Sequence, residues 1–302
     1  MSVETVNIFA NPIAGRGRGK WTAQRLERRL RADGYAVRTA LDRPEELTEA
    51  WTEGEIRAAV IIGGDGTLRT VASRLLALRG EMPPLLPVPF GTANLMGQHL
   101  GIDWNERTLE AGVSDAVRRL HIRTLDAATA NGQLFLLMAG VGFDAQVVHE
   151  LDRIRKGPIN MASYVVPAMT AMRDYSFPHL RVIVDDVEIW ASRPAIAFVG
   201  NVKEYGTGFP VLPFARPDDG VLDVCVMPCS TRFELVKFFL HAAAKQHVRQ
   251  AETRYVTGKS IRIESQTSAP VQLDGDAGGF TPIDIRLLPV RLPFIVPANA
   301  HE

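Results

Sequence analysis

Residues 57–67, RAAVIIGGDGT, constrain the fold of this 302-residue chain more than any other stretch. The run is apolar without the polar alternation of a strand that has one wet face. It therefore reads as a strand buried on both sides, as in a parallel sheet covered by helices. Glycines follow at once, which marks a loop at the strand's carboxyl end. The flanking sequence repeats the pattern. TVNIFA (5–10) is a short strand running into the turn-rich NPIAGRGRGK, and WTAQRLERRLRADG has helical spacing ended by Gly34. YAVRTA is a second strand, residues 44–53 read as a helix opened by Pro44, and a further helix is predicted near 67–79. LLPVPF then makes another strand, and GTAN stands at a helix start. This β-loop-α alternation predicts a doubly wound, three-layer α/β domain over about the first 120 residues.

After residue 125 the texture changes to short strands: TLDAATA, QLFLLMAGVGF, HLRVIVDDVEIWA, RPAIAFVG, GVLDVCVM, SIRIES, APVQLDGD and FTPIDIRLLP. Antiparallel sheets in a β-sandwich are expected, with helices near 163–172 and 233–246. No repeat or low-complexity linker separates the halves. The 34 basic and 34 acidic residues cancel, so no field exists to hold nucleic acid nonspecifically, and no nucleic-acid partner is expected. Cys225 and Cys229 lack a second ligand pair nearby, so structural zinc is not expected; so few cysteines fit a reducing cytosol. The opening residues do not read as a secretory signal, and no uncharged run is long enough to span a bilayer. A cytoplasmic protein is expected, with peripheral membrane contact left open.

Three glycine-rich loops each follow a strand: Asn11-Pro12-Ile13-Ala14-Gly15, Gly63-Gly64-Asp65-Gly66-Thr67 and Gly91-Thr92-Ala93-Asn94. In an open α/β sheet they would gather on one edge, where bare backbone N–H groups and helix N-termini suit a phosphate. Asp65 would repel phosphate and is better read as holding Mg²⁺, directly or through water. GRGRGK (15–20) fails as a phosphate-binding Walker loop, because Ala14 and Trp21 stand where glycine and Ser/Thr are needed. Arg16 and Arg18 remain either anion contacts or a basic surface turn.

GGDGT after an apolar strand, N-P-x-x-G upstream and P-x-G-T-x-N downstream resemble the diacylglycerol kinase and sphingosine kinase catalytic family, including the bacterial lipid kinases. AGVGFDA (139–145), KGPINMASY (156–164), FVGNVKEYGTGFPVLPFARPDDGVLDVCVM (198–227) and LDGD (273–276) follow in that family's order. The resemblance implies a nucleotide-binding domain over 1–125, an acceptor-binding β-sandwich over 126–290, and residues 291–302 packing back onto the first, with the nucleotide cleft between the domains. ATP contacts would fall on Asn11, Pro12, Ile13, Ala14 and Gly15, on Thr39, on Gly63, Gly64, Asp65, Gly66, Thr67, Leu68, Arg69 and Thr70, and on Thr92. Asp65 would tie Mg²⁺ to the triphosphate. A second, structural Mg²⁺ would take Asp219 with the carbonyls of Arg216 and Val221; a plain solvated turn is the other reading of that loop.

Asp274-Gly275-Asp276 stands where the family carries D-G-E. One of these two acids would be the general base, Asp274 being slightly favoured, and an ordinary D-G hairpin turn is the bland alternative. Asp144 reads either as a turn residue or helix cap or as a group near the acceptor. The seven histidines show no metal spacing; His241 and His247 would lie on different faces of a helix. Two departures stand out: Leu95-Met96 replaces an Asp-aromatic pair, and Arg69-Thr70 replaces an Asn-Glu or Ser-Glu pair. The apolar stretch 161–172, with basic residues 153–156, could line a lipid entrance or simply be core. The reading is an ATP- and Mg²⁺-dependent kinase of a lipid at a membrane surface, with a homodimer allowed. Its rivals are a kinase of a soluble acceptor such as NAD or a sugar phosphate, and a noncatalytic nucleotide- or lipid-binding regulator.

Overall fold

The computed structural model describes residues 3–154, 165–204 and 209–298, and the expectations for 156–164, most of 161–165 and 205–208 lie outside that set. One compact unit takes the residues up to Leu125 and those from Arg291 on; the other is Asp126–Val290. The first unit runs β1 (Thr5–Ala10), the kinked turn α1 (Ala14–Gly17), α2 (Gly19–Ala32), β2 (Ala36–Leu41), β3 (Ile56–Gly63), α3 (Asp65–Leu76), β4 (Leu85–Pro89), α4 (Leu95–His99), α5 (Leu109–Arg119) and β5 (Ile122–Leu125). The second runs β6 (Ala128–Ala130), β7 (Gln133–Phe135), β8 (Met138–Val141), α6 (Phe143–Ile154), α7 (Val165–Asp174), β9 (His179–Val184), β10 (Val187–Gly200), β11 (Leu222–Pro228), α8 (Arg232–Ala243), β12 (Arg254–Gly258), β13 (Ser260–Ser265), β14 (Pro270–Leu273), β15 (Asp276–Phe280) and β16 (Ile283–Leu287). β17 (Leu292–Ile295) belongs to the first unit.

The first sheet has the order β2-β1-β3-β4-β17-β5. β1 to β4 are parallel; β17 runs parallel to β4 and antiparallel to β5. Ala58 to Ile62 of β3 are all buried, so the unbroken apolar run does fill a strand covered on both faces. α2 buries Thr22, Leu26 and Leu30, one stripe at four-residue spacing, and packs on β1, β2 and α5. Gly34, at φ 96°, ends the turn that follows it, with the Tyr35 amide bonding back to the Leu30 carbonyl.

The helix expected over 44–53 is instead two single turns of 3₁₀ helix, Pro44–Glu46 and Glu49–Trp51. Leu47 between them is extended (ψ 129°), which lets both Leu47 and Trp51 reach the core. Its carbonyl accepts two N–H groups from Arg74 of α3, at 3.0 and 2.7 Å, so the break is held by tertiary contacts that periodicity does not reveal. Helices α5 and α6 and strand β12 add to the elements expected from sequence. The segment read as one strand, TLDAATA, divides at Leu125: its start closes the first sheet as β5, and its end opens the second unit as β6.

The second unit is an antiparallel β-sandwich hinged on the 14-residue β10. The register of β10 shifts at Glu188/Trp190 and Trp190/Arg193; its first part pairs with β9, its last part with β8 and β11. The core between the layers includes Phe135, Val182, Trp190, Val199, Val224, Ile263 and Val271. α8 is shorter than the expected 233–246. It ends at Ala243, Lys245 is left-handed (φ 56°), and His247 lies beyond the helix, buried with a ring nitrogen 2.9 Å from the Val211 carbonyl. Both cysteines are free and buried. Among the described residues no helix is long and apolar enough to cross a membrane.

Candidate active site

The three glycine loops meet at the carboxyl edge of the first sheet. Asn11 joins the first to the second: its amide bonds the Ile62 carbonyl, and its side-chain Nδ2 donates to Thr67 Oγ1 at 3.4 Å. The second and third loops touch backbone to backbone, so that a Cβ on Gly91 would stand 2.6 Å from Gly64 Cα. Gly15 packs on the Phe90 ring, where a Cβ would come within 2.2 Å, and its φ of 59° is left-handed. At these two contacts glycine is a steric requirement. Asn94, also left-handed, closes the third loop by accepting from the Gly91 amide (2.7 Å) and donating to the Gly91 carbonyl (2.9 Å).

Which backbone amides remain for a ligand differs between loops. In the first, Ile13 N donates to Asn11 Oδ1, Ala14 N to the Asn11 carbonyl and Gly15 N to the Phe90 carbonyl. These amides are occupied, and Ile13 itself is exposed. The second loop opens the 12-residue α3, whose first-turn N–H groups have no carbonyl of their own helix to bond. That turn, with Gly66 and Thr67, leaves more donors for an anion than the first loop does. Leu68 has its side chain in the core, and its amide bonds the Gly64 carbonyl. Thr70 Oγ1 donates to the Gly66 carbonyl of its own helix at 2.9 Å. Thr39 pairs with Ile8, two residues short of the end of β2, and its hydroxyl donates to Glu27. Arg18 donates Nε to the Gly15 carbonyl and pairs with Glu106, whereas Arg16 is exposed. Arg69 in α3 and Pro12 are half-buried, and Thr92 is exposed.

Asp65 is engaged by backbone. Its two oxygens accept the amides of Leu95 (2.9 Å) and Met96 (3.0 Å), the start of α4. Burial holds its pKa above the usual carboxylate value, an effect those amides offset only in part. The carboxylate thus clamps the second loop to the third, and the pair Leu95-Met96 serves it through backbone rather than side chains. Beside the first and third loops lies a cavity of about 260 Å³ lined by Trp21, Arg25, Phe90 and Trp104 among others. Arg25 sits over the Trp21 ring at 4.3 Å and pairs with Glu110. Isolated tryptophans in a sequence carry no signal for such a place.

In the second unit, Leu273 and Asp276 pair across a two-residue turn in which Asp274 (φ 53°) and Gly275 (φ 86°) are both left-handed. D-G is therefore a tight hairpin of the primed type, joining β14 to β15. The turn and a role in chemistry do not exclude each other. Asp274 accepts three amides, Leu136 (2.8 Å), Leu137 (2.8 Å) and Met138 (3.0 Å), while its own N–H bonds the Met138 carbonyl. Its lone pairs are largely committed to holding the hairpin against the β7–β8 connection, and nothing in the sequence marks residues 136–138 as its partners. Asp276, first residue of β15, is half-exposed.

Asp144 is neither a cap nor a surface turn residue. It lies inside the first turn of α6, fully buried, and neither oxygen has a hydrogen-bond partner. Burial pushes its pKa up to about 7, with only weak opposition from the nearby Ala145 amide and Gln272. Gln272 Oε1 accepts the Gly275 amide at 2.8 Å, which ties this buried cluster to the hairpin. In the loop 216–221, Asp219 Oδ1 accepts the Val221 amide at 3.3 Å and buried Asp126 accepts the Gly220 amide at 2.7 Å. Asp219 and Arg216 are exposed. Nearby Asp223 has its pKa raised, chiefly by burial, with the charge of Asp219 adding to the effect. The loop offers oxygen donors and excess negative charge, which fits a hard cation. Among the described residues no three His, Cys, Asp or Glu side chains cluster as a metal site.

Residues 5–130 match the model of the diacylglycerol kinase catalytic domain, and residues 138–296 match that of the YegS C-terminal NAD kinase beta sandwich-like domain. A diacylglycerol kinase of Mycobacterium tuberculosis is 27% identical over 304 residues, covering 97% of this chain and 96% of that protein. A Pseudomonas aeruginosa protein named "Probable lipid kinase YegS-like" is 34% identical over 166 residues, 55% of this chain and 53% of its own length. The crystal structure of a diacylglycerol kinase from Bacillus anthracis superposes with a TM-score of 0.73 at 26% identity, covering 99% of each chain. With both of its units matched in order, the chain belongs to the diacylglycerol kinase catalytic family of the YegS lipid-kinase type, phosphotransferases with an alcohol group as acceptor.

Proposed function

We propose that the protein transfers the γ-phosphate of ATP to a hydroxyl of a membrane lipid, such as diacylglycerol, a sphingoid base or ceramide, or phosphatidylglycerol. The observation that carries this reading is the half-exposed Asp276 at the exit of a hairpin that Asp274 anchors, in a chain that also carries an uncapped α3 N-terminus among three glycine loops. The triphosphate rests on the first turn of α3, with Gly66 and Thr67 presenting N–H and hydroxyl groups. Asp276 takes the proton as the acceptor oxygen forms its bond to the γ-phosphorus and the β–γ bridging bond breaks, leaving ADP. Asp274 is the positioning residue, because its oxygens already accept three amides. This reverses the slight preference that the sequence suggested.

Mg²⁺ accompanying the triphosphate would neutralise charge developing on its oxygens. Asp65, with both oxygens held by amides, suits contact with that ion through water rather than direct ligation. A structural Mg²⁺ would be held by Asp219 and the carbonyls of Arg216 and Val221, where it ties down the acidic loop. The test is transfer of label from ATP to candidate lipids in mixed micelles, beside NAD and sugar phosphates. Asp276→Asn is expected to lower kcat by roughly a thousandfold with little change in KM for ATP, as loss of a general base does. Labelling of a soluble acceptor alone would replace the lipid reading by its rival, and full activity of Asp276→Asn would remove the base assignment.

A further inference from the structure

α8 is apolar on both sides. Leu235, Phe238 and Ala242 face the core, while Phe233 is 78% exposed, Val236 47% and Leu240 66%. Helices of soluble proteins bury their apolar stripe and wet the other, so a second stripe left bare calls for a partner. α7 repeats the pattern: Ala171 is buried, and Val166 and Met169 are exposed at 64% and 69%. The two helices are joined, since Arg232 at the start of α8 donates Nε and Nη2 to the carbonyls of Met172 and Arg173 at the end of α7. Five exposed apolar side chains thus belong to one helix pair, unlike the single ones scattered elsewhere.

Charge selects the occupant. Arg173, Arg232, Lys237 and Lys245 are exposed on or beside these helices, and Lys237 lies within the stripe itself, between Phe233 and Leu240 in helical spacing. Two acids stand among them, Asp174 paired with Arg173 and Glu234 accepting from the Ser230 amide and hydroxyl at 2.7 Å, so the four cations outnumber the acids by two. A second copy of the chain meeting this face across a two-fold axis would bring the same cations against one another. An anionic bilayer satisfies both parts, taking Phe233, Val236 and Leu240 at the acyl boundary while the lysines reach lipid phosphates.

We propose that the exposed faces of α7 and α8 form a docking surface for anionic phospholipid membranes. The surface serves the lipid-kinase reading, on which its purpose rests, but docking is measurable without turnover. The experiment is co-sedimentation of the full chain with vesicles of phosphatidylcholine alone or mixed with phosphatidylglycerol. The wild type is expected to bind the mixed vesicles, weakly bind the neutral ones, and release as salt is raised. Phe233→Asp with Leu240→Asp should lower partition at least about tenfold, and Lys237→Glu should lower it about threefold on anionic vesicles only. Thermal unfolding should stay unchanged because the side chains are exposed, and Phe233→Ser with Leu240→Ser replaces the acidic pair should it fold poorly. Turnover of a monomerically dissolved acceptor should remain within about twofold in the variants, and a wild type that docks yet labels no lipid would sink the substrate reading and spare the surface. No binding by the wild type, equal binding by the variants, or loss of a dimer instead of vesicle binding in ultracentrifugation would overturn the proposal.

Discussion

Asp65, half-buried, and Asp144, buried, are acids in glycine-rich stretches whose surroundings differ in kind. Asp65 gives each oxygen to a backbone amide and links two loops of the α/β unit. Asp144, in the sandwich, has no hydrogen-bond partner, and burial pushes its pKa up to about 7. The wider regions differ in the same way. At the loop edge, neighbouring backbones touch and glycine is required by contact, as between Gly64 and Gly91. At the hairpin, a charged side chain reaches amides 136 to 138 residues earlier in the chain. One region is shaped by sterics close to each strand end, the other by long-range polar contacts, and substitutions should separate the two.

The largest effect is expected at the hairpin's anchor. Asp274→Ala leaves the amides of Leu136, Leu137 and Met138 without their acceptor and should cost about 3–5 kcal/mol in chemical denaturation, with kcat falling alongside. Unaltered stability would mean that the hairpin is held by strand pairing alone. Next comes the buried acid. Asp144 has a folded pKa near 7 and an unfolded value of 3.8, so the folded state holds the extra proton. Stability from this group is present below the unfolded value and is lost as pH rises from about 4 through about 7. Asp144→Asn should therefore raise stability by about 2–4 kcal/mol at pH 8 and change it little at pH 4. Parallel unfolding curves for the two proteins across that range would refute the difference drawn between Asp65 and Asp144.

A steric test of the loop edge follows. Gly91→Ala would press a Cβ against Gly64 Cα and should cost about 1–3 kcal/mol while weakening ATP binding, read by denaturation and calorimetry. An unchanged ATP affinity would place the phosphates away from this contact. The smallest effect is expected at Thr70, whose hydroxyl serves its own helix: Thr70→Ala should shift KM for ATP less than about twofold. A large rise in KM would show that the hydroxyl turns to the nucleotide when it binds.

Much of the architecture was legible because it depends on local pattern. The unbroken run of β3, the stripe of α2 and the glycine loops after β1, β3 and β4 are consequences of period and backbone freedom within a dozen residues. The same locality made the three loops visible as one edge. Where tertiary contacts override pattern, expectation and structure part: Arg74 holds the break at Leu47 that splits the helix expected over 44–53.

The acids divide along that same line. From sequence alone came the α/β and sandwich classes, the glycine loops, and the D-G-D stretch as the place of the carboxylates. Only the tertiary structure decided what each carboxylate faces: amides of a neighbouring loop for Asp65, amides far back in the chain for Asp274, solvent in part for Asp276, and for Asp144 a buried place in which neither oxygen has a hydrogen-bond partner. A carboxylate's chemistry depends on the donors and the water around it, and those arrive from elements that sequence spacing does not bring together.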